Sequence, residues 1–307
     1  MARRDGPLGP VFDYRRRAEN VAGDLYVDST CIDCDTCRWM APQVFHRAAG
    51  MSAVHHQPAT PGQRQRALQA LLSCPTASIG TVAPPQDMKA AQASLPLKLA
   101  PGVFHCGYHS EKSFGAASYL IQRPDGNVLV DSPRFAAPLV KQLAALGGIR
   151  YLYLTHRDDV ADHQKFRDRF GCDRILHTDD ITPDTANVEI QLHGTAPYAL
   201  APDLLIIPVP GHTRGHTVLR YQPPPDTGMD PILFSGDHLA WSDQLGHLKA
   251  FRRACWYSWP VLIESMTRLL DYEFGWVLPG HGRRYQADPA TMAASLRQCI
   301  QWMHTVA

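Results

Sequence analysis

Two stretches of this chain concentrate side chains that can do chemistry. In CIDCDTC (31–37), Cys31, Cys34 and Cys37 stand at Cys-x-x-Cys-x-x-Cys spacing, and a fourth thiol follows far downstream at Cys74-Pro75. In THRDDVADHQ (155–164), His156, Asp158, Asp159, Asp162 and His163 crowd one short segment directly after the apolar run 151–154. Three closely spaced thiolates suit a compact loop wrapped around a cube of iron and sulfide. Loop amides hydrogen-bond the sulfurs, and the proline after the remote fourth ligand turns the chain away. A zinc knuckle usually pairs two Cys-x-x-Cys units, whereas here the fourth cysteine stands alone. One set of thiols predicts one [4Fe–4S] cluster. The second stretch holds too much charge for a core strand and too much for an ordinary turn. Imidazoles and carboxylates together are ligands for metal cations.

Positioning such ligands requires rigid elements that end at them. Four apolar runs do so. Residues 151–154 end at His156, and 204–209 end through Pro-Gly at His212. Residues 231–234 end through Ser-Gly at Asp237, and 276–278 end through Pro-Gly at His281. In the last three a glycine lets the backbone turn sharply before the ligand. One such histidine is usually a satisfied turn residue; four strand tips in one segment point to convergence at a sandwich edge.

The cysteine-rich segment has its own elements. An alternating strand at 25–28 leads into the cysteine loop. Thr60 caps a helix, Pro61 takes its first position, and Ala67, Leu68, Leu71 and Leu72 form an apolar stripe that ends at Cys74-Pro75. The Pro/Ala/Gln-rich stretch 83–96 reads as a linker. The chain therefore divides into a basic lead-in (1–19), expected to be solvated, a small domain (20–82), the linker, and a larger domain (97–307).

Of the 307 residues 45% are hydrophobic and 19% charged, and the formal net charge is +1. A substantial core is expected, with neither a nucleic-acid nor a membrane partner. The lead-in lacks the apolar stretch of a secretory signal. A cytoplasmic, reducing location is expected, where clustered cysteines mean metal or redox chemistry. Cys106, Cys172, Cys255 and Cys299 belong to no ligand pattern and read as packing thiols.

The cysteine segment resembles a single-cluster bacterial ferredoxin. THRDDVADH, PGHTRGHT, FSGDH and LPGHG resemble, in order and spacing, the metal-binding motifs of the metallo-β-lactamase superfamily. The resemblance implies an α+β chain: a small ferredoxin-like domain, then an αββα sandwich with one or two metal ions at its edge. It makes His156, His212, Asp237 (bridging) and His281 ligands, and Asp162 and His163 ligands of the second metal. Asp162 would also cap a short helix, 163–170, closed by Gly171. The superfamily's first motif is His-x-His-x-Asp-His. Here two extra residues precede Asp162 and the second histidine is missing. Asp158 keeps its spacing and is the expected replacement, with Asp159 the fallback; the alternative is a depleted first site. A carboxylate there hardens the site and tilts it from zinc toward iron or manganese.

The leading expectation is a hydrolase of ester, thioester, lactone or phosphoester substrates. In it a metal-bound hydroxide, oriented by the catalytic acids Asp162 and Asp237, attacks a small-molecule substrate. The alternative is an iron-dependent oxidoreductase, analogous to flavodiiron proteins or acting on persulfides. There the cluster relays electrons from a partner, since zinc cannot accept one. A third reading is a non-enzymatic redox sensor. His238 is a weak proton-donor candidate, and His216 reads as a turn or supporting residue.

Overall fold

The computed structural model describes residues 15–306. The chain forms two compact units, divided between Ala91 and Gln92. Most of the expected basic lead-in lies outside the described residues. Its described end is not the solvated segment expected. Arg17 is buried and donates to the carbonyls of Ser52 and Ala48, and the Arg16 guanidinium lies 4.0 Å above the Tyr26 ring. No helix among the described residues is long and apolar enough to cross a membrane.

In the small unit, β1 (Leu25–Val27) leads into α1 (Thr36–Met40). A hairpin of β2 (Phe45–Ala48) and β3 (Met51–Val54) follows. Then come α2 (Pro61–Ser73) and β4 (Ile79–Thr81), which pairs antiparallel with β1. Thr60 caps α2 by accepting the Gln63 N–H at 3.2 Å. Leu25, Val27, Phe45, Val54, Ala70 and Ile79 share one core. The helix buries Ala67, Leu68, Gln69 and Ala70, whereas Leu71 and Leu72 are only half-buried. Within the expected linker a short helix, α3 (Met88–Ala93), forms.

The larger unit contains two sheets. The first holds β5 (Leu97–Ala100), β6 (Val103–His105), β7 (Tyr119–Ile121), β8 (Val128–Val130), β9 (Tyr151–Tyr153), β10 (Asp173–His177) and β11 (Ile190–Leu192), arranged in that spatial order. The second contains β12 (Tyr198–Ala201), β13 (Leu204–Pro208), β14 (Thr217–Tyr221) and β15 (Ile232–Gly236). A small hairpin of β16 (Ala240–Ser242) and β17 (His247–Lys249) precedes its last strands, β18 (Trp276–Pro279) and β19 (Tyr285–Gln286). Helices α4 (Ala137–Ala145) and α5 (His163–Phe170) accompany the first sheet, and α5 packs on β9 and β10. Helices α6 (Trp259–Arg268) and α7 (Pro289–Thr305) close over one face of the second sheet, where Val218, Leu233, Val277, Leu262, Met266 and Leu296 share one core.

The apolar content of β7, β8 and β15, buried at every position, makes them inner strands. The two sheets meet through rings and hydroxyls. Tyr119 packs edge-on to Phe234 at 5.5 Å. The Tyr153 and Thr217 hydroxyls lie 2.7 Å apart, and the Thr217 N–H donates to the Thr155 carbonyl at 2.9 Å. These last contacts lie next to His156 and His216 and fix one sheet's end against the other.

Behind the first sheet, Arg174 is 1% exposed and donates to Glu189 from its backbone and its guanidinium, while Arg167 of α5 pairs with the same carboxylate. Burial alone would raise the Glu189 carboxyl, but these donors hold it down to about 2, against 4.5 ordinarily. The folded chain thus binds fewer protons than the unfolded chain between those values, and the stability of this contact is lost as pH falls from 4.5 through 2. Denaturation midpoints of the full chain should drop across that window, and Glu189→Gln should lower the midpoint at neutral pH while flattening the acid slope.

Candidate metal centre

Each turn that presents a candidate ligand has an identifiable local cause. Gly211 sits at φ +150°, and a Cβ there would meet the Leu262 backbone at 2.4 Å. Gly236 sits at φ +50°, and a Cβ there would lie 2.5 Å from Thr155 Oγ1. Gly280 has no positive φ; it is required by close approach instead. A Cβ there would lie 2.8 Å from Asp159 Oδ2 and 3.0 Å from Asp237 Oδ1. Asp131, at φ +56°, accepts the Thr155 N–H at 2.8 Å and anchors the turn before His156.

Two triads result. One ligand atom each from His156, Asp158 and His212 lie within 4.8 Å of one another, as do atoms from His156, Asp159 and Asp237. Asp237 Oδ2 stands 3.9 Å from His156 Nε2 and 3.8 Å from His212 Nε2, and its carboxylate accepts from His281 Nδ1 at 2.7 Å. His156 is therefore the member common to both triads, and Asp237 is flanked by three histidines.

The electrostatics of this cluster are severe. Asp159 is 1% exposed and neither carboxylate oxygen has a hydrogen-bond partner. Burial, then the charge of Asp237, pushes its carboxyl well up. Burial opposes ionisation of Asp237 as well, but the charges of His281, His156 and His212 outweigh it and hold that carboxyl down. Burial lowers His156 to about 4. For His281 burial acts downward, but Asp237 prevails and raises it to about 10. His156 Nε2, both ring nitrogens of His212 and His281 Nε2 are buried without partners. Orphaned buried carboxylates and imidazoles are costly alone and are natural donors to a cation. The residues present thus fit one or two bound metal ions.

Two expected ligands are not brought into the cluster. Asp162 takes the position before α5, but its side chain makes no capping bond. Its carboxylate accepts the Phe135 N–H at 2.9 Å and pairs with Lys165 Nζ at 2.9 Å. His163 Nδ1 lies 3.1 Å from the Arg174 guanidinium behind the sheet. The two extra residues explain this. Val160 and Ala161 turn the chain, with Ala161 at φ +27°, a strained value for a residue with a side chain. Asp159 is left inside and Asp162 is carried outside. Asp158 is 42% exposed at its side chain and lies 3.5 Å from His212 Nε2. Both the expected replacement and its fallback therefore face the cluster.

His216, expected as a turn or supporting residue, stacks its ring on His156 at 4.8 Å and accepts the Asp237 N–H on its Nε2 at 3.2 Å. His238 is fully buried, with neither ring nitrogen partnered. Nothing in the sequence marked Asp180, which lies in a 3₁₀ turn after β10, or Phe114; Trp256, in the run RRACWYSW, was open between core packing and lining a substrate cleft. Phe114 is 56% exposed, with its ring 6.2 Å from that of His281. Trp256 is 61% exposed, with its ring 6.3 Å from that of His212, whose carbonyl accepts the Trp256 and Tyr257 N–H groups.

In the small unit, Cys31, Cys34, Cys37 and Cys74 line one hollow together with Val27 and Ile79. Asp33 and Asp35, at φ +59° and +66°, shape the loop and are held by Arg38 at 2.6 and 2.5 Å. The Ser78 N–H donates to Cys74 Sγ at 3.3 Å. Burial, aided by neighbouring cysteine charges, raises the Cys34 and Cys37 thiols. Free thiolates are unfavourable at these two positions, and bound iron would relieve them. None of the eight cysteines is in a disulfide.

Residues 27–81 match the family described as the 4Fe-4S single cluster domain of ferredoxin I. No curated protein matches the chain in sequence. Similar solved structures include VMB-1 at pH 5.5, with TM-score 0.52 and 14% identity over 68% of this chain and 95% of that one. Another is BJP-1, a subclass B3 metallo-β-lactamase of Bradyrhizobium japonicum, with TM-score 0.49 and 14% identity over 72% and 96%. A third is FEZ-1 metallo-β-lactamase from Legionella gormanii, with TM-score 0.49 and 15% identity over 69% and 95%. At such identities the likeness is one of fold. The chain thus joins a ferredoxin-like [4Fe–4S] domain to a unit of metallo-β-lactamase fold.

Gly280→Ala should push Asp159 and Asp237 apart by steric contact. Metal bound outside the iron–sulfur cluster should fall by at least one ion per chain, with the cluster's visible absorption unchanged. Parental metal content in that variant would contradict the close approach described.

Proposed function

We propose that the larger unit is a metal-dependent hydrolase acting on a small-molecule ester, thioester or lactone. His156, Asp158, His212 and Asp237 would hold a first ion; Asp159, Asp237 and His281 would hold a second. The observation that carries this reading is the set of buried ligand atoms without hydrogen-bond partners on His156, His212, Asp159 and His281, gathered around His156 and Asp237. Metal ions bound there supply Lewis acidity and make water a better nucleophile at neutral pH.

The protein's own groups supply orientation and selectivity. Asp237, held by the His281 ring and the His216-bound backbone, keeps two binding positions in register. Asp159 adds a third carboxylate to those of Asp158 and Asp237, and its burial leaves it needing a cation to neutralise it. Phe114 and Trp256 leave costly apolar surface in water on either flank. They favour a substrate with an apolar group beside the scissile bond over a phosphoester.

A second reading is an iron-dependent oxidoreductase. It is favoured by Asp158 in place of an imidazole, a harder ligand, in a chain that also carries a [4Fe–4S] domain. The cluster then passes electrons from an external donor.

The two readings separate by experiment. Asp237→Asn should lower kcat/KM on acyl esters and thioesters by about 100-fold or more, the scale of losing one preorganised charge-stabilising group. Cys34→Ser should abolish the cluster and leave steady-state hydrolysis intact. Hydrolysis lost in Cys34→Ser with the second metal site retained, or turnover only with a reduced donor, would support the oxidoreductase and sink the hydrolase.

A further inference from the structure

Asp180 lies outside the proposed ligand set, yet it touches the loops that carry two of its members. It is fully buried in the 3₁₀ turn after β10. Its Oδ2 accepts the Arg157 N–H at 3.1 Å, one residue from His156. The same oxygen accepts the Thr213 hydroxyl at 2.5 Å, one residue from His212. Its Oδ1 accepts the Gly215 N–H at 2.8 Å, one residue from His216. Gly215 is needed for this approach, because a Cβ there would stand 2.9 Å from the Asp180 carboxyl carbon.

The three donors come from two different sheets' loops. The Arg157 loop follows β9 of the first sheet; Thr213 and Gly215 follow β13 of the second. The His156 and His212 rings, 4.8 Å apart and nearly perpendicular, are each one peptide from a bond to the same carboxylate. We infer that Asp180 is a positioning residue that sets the spacing of His156 and His212 and so the metal affinity of the first position. The inference rests on the ligand set proposed above. A carboxylate suits the task because it accepts several hydrogen bonds at fixed geometry and donates none. Supporting groups of this kind change metal affinity about 10–100-fold when altered.

The test is a calorimetric titration of the full chain, cluster in place, with cobalt(II) after chelator treatment. His212→Ala identifies the binding step that belongs to the first position. Asp180→Asn retains one carbonyl oxygen but turns an amide toward a donor. It should weaken that step about 10–100-fold and leave the second step unchanged. Thr213→Val should weaken the same step less, and Thr213→Ser, which restores the hydroxyl, should return it to the parental value. Parental binding in Asp180→Asn, or equal weakening of both steps, would overturn the inference, since a merely structural residue would affect both. If His212→Ala itself left cobalt binding untouched, the ligand set would fall first, and the two failures are thereby distinct.

Discussion

Two carboxylates buried together at the end of a sandwich are the constraint on which the larger unit depends. The Asp159 carboxylate is sealed from water without a hydrogen bond, and Asp237 stands with it in one group of convergent ligand atoms. Burying one unpaired carboxylate already costs several kcal/mol. A second adds repulsion in a poorly screened interior. Three histidines offset part of this, but only His281 donates to the Asp237 carboxylate, and the Asp159 carboxylate has no hydrogen-bond partner among the described residues. In the proposed reading the deficit is met by cations. Glycines at 211, 236 and 280, and the contacts between Tyr153, Thr155 and Thr217, hold the two sheet ends close enough for that to occur.

Much of this was legible in the sequence. A strand that ends in a candidate ligand leaves a plain signature: an apolar run, a glycine, then His or Asp. That signature correctly located the tips after β13, β15 and β18. The cysteine spacing and the capped helix α2 were equally legible, since both follow from local geometry. Strands β5 and β6 and the hairpin β16–β17 were not foreseen, being short and interrupted by turn residues.

What the sequence hid lay in three dimensions. Motif order suggested that Asp162 and His163 would enter the site, because matching letters cannot register two inserted residues that reverse the chain. Lys165 and the Phe135 amide claim Asp162, and Arg174 claims His163. Asp180 could not be found either, since its three partners lie far away in sequence and its own surroundings, HTDDI, resemble any polar turn. Arg17 was misread for the same reason: a basic run looks solvated until the carbonyls it serves are known.

In the proposed site Asp159, and not Asp162, faces the ions. Metal and acid-labile sulfide content of anaerobically purified Asp159→Asn and Asp162→Asn chains tests it directly. About four iron and four sulfide are expected in both, from the cluster. Asp159→Asn should lose an ion from the second site while Asp162→Asn retains the parental complement. Loss in Asp162→Asn with retention in Asp159→Asn would contradict it.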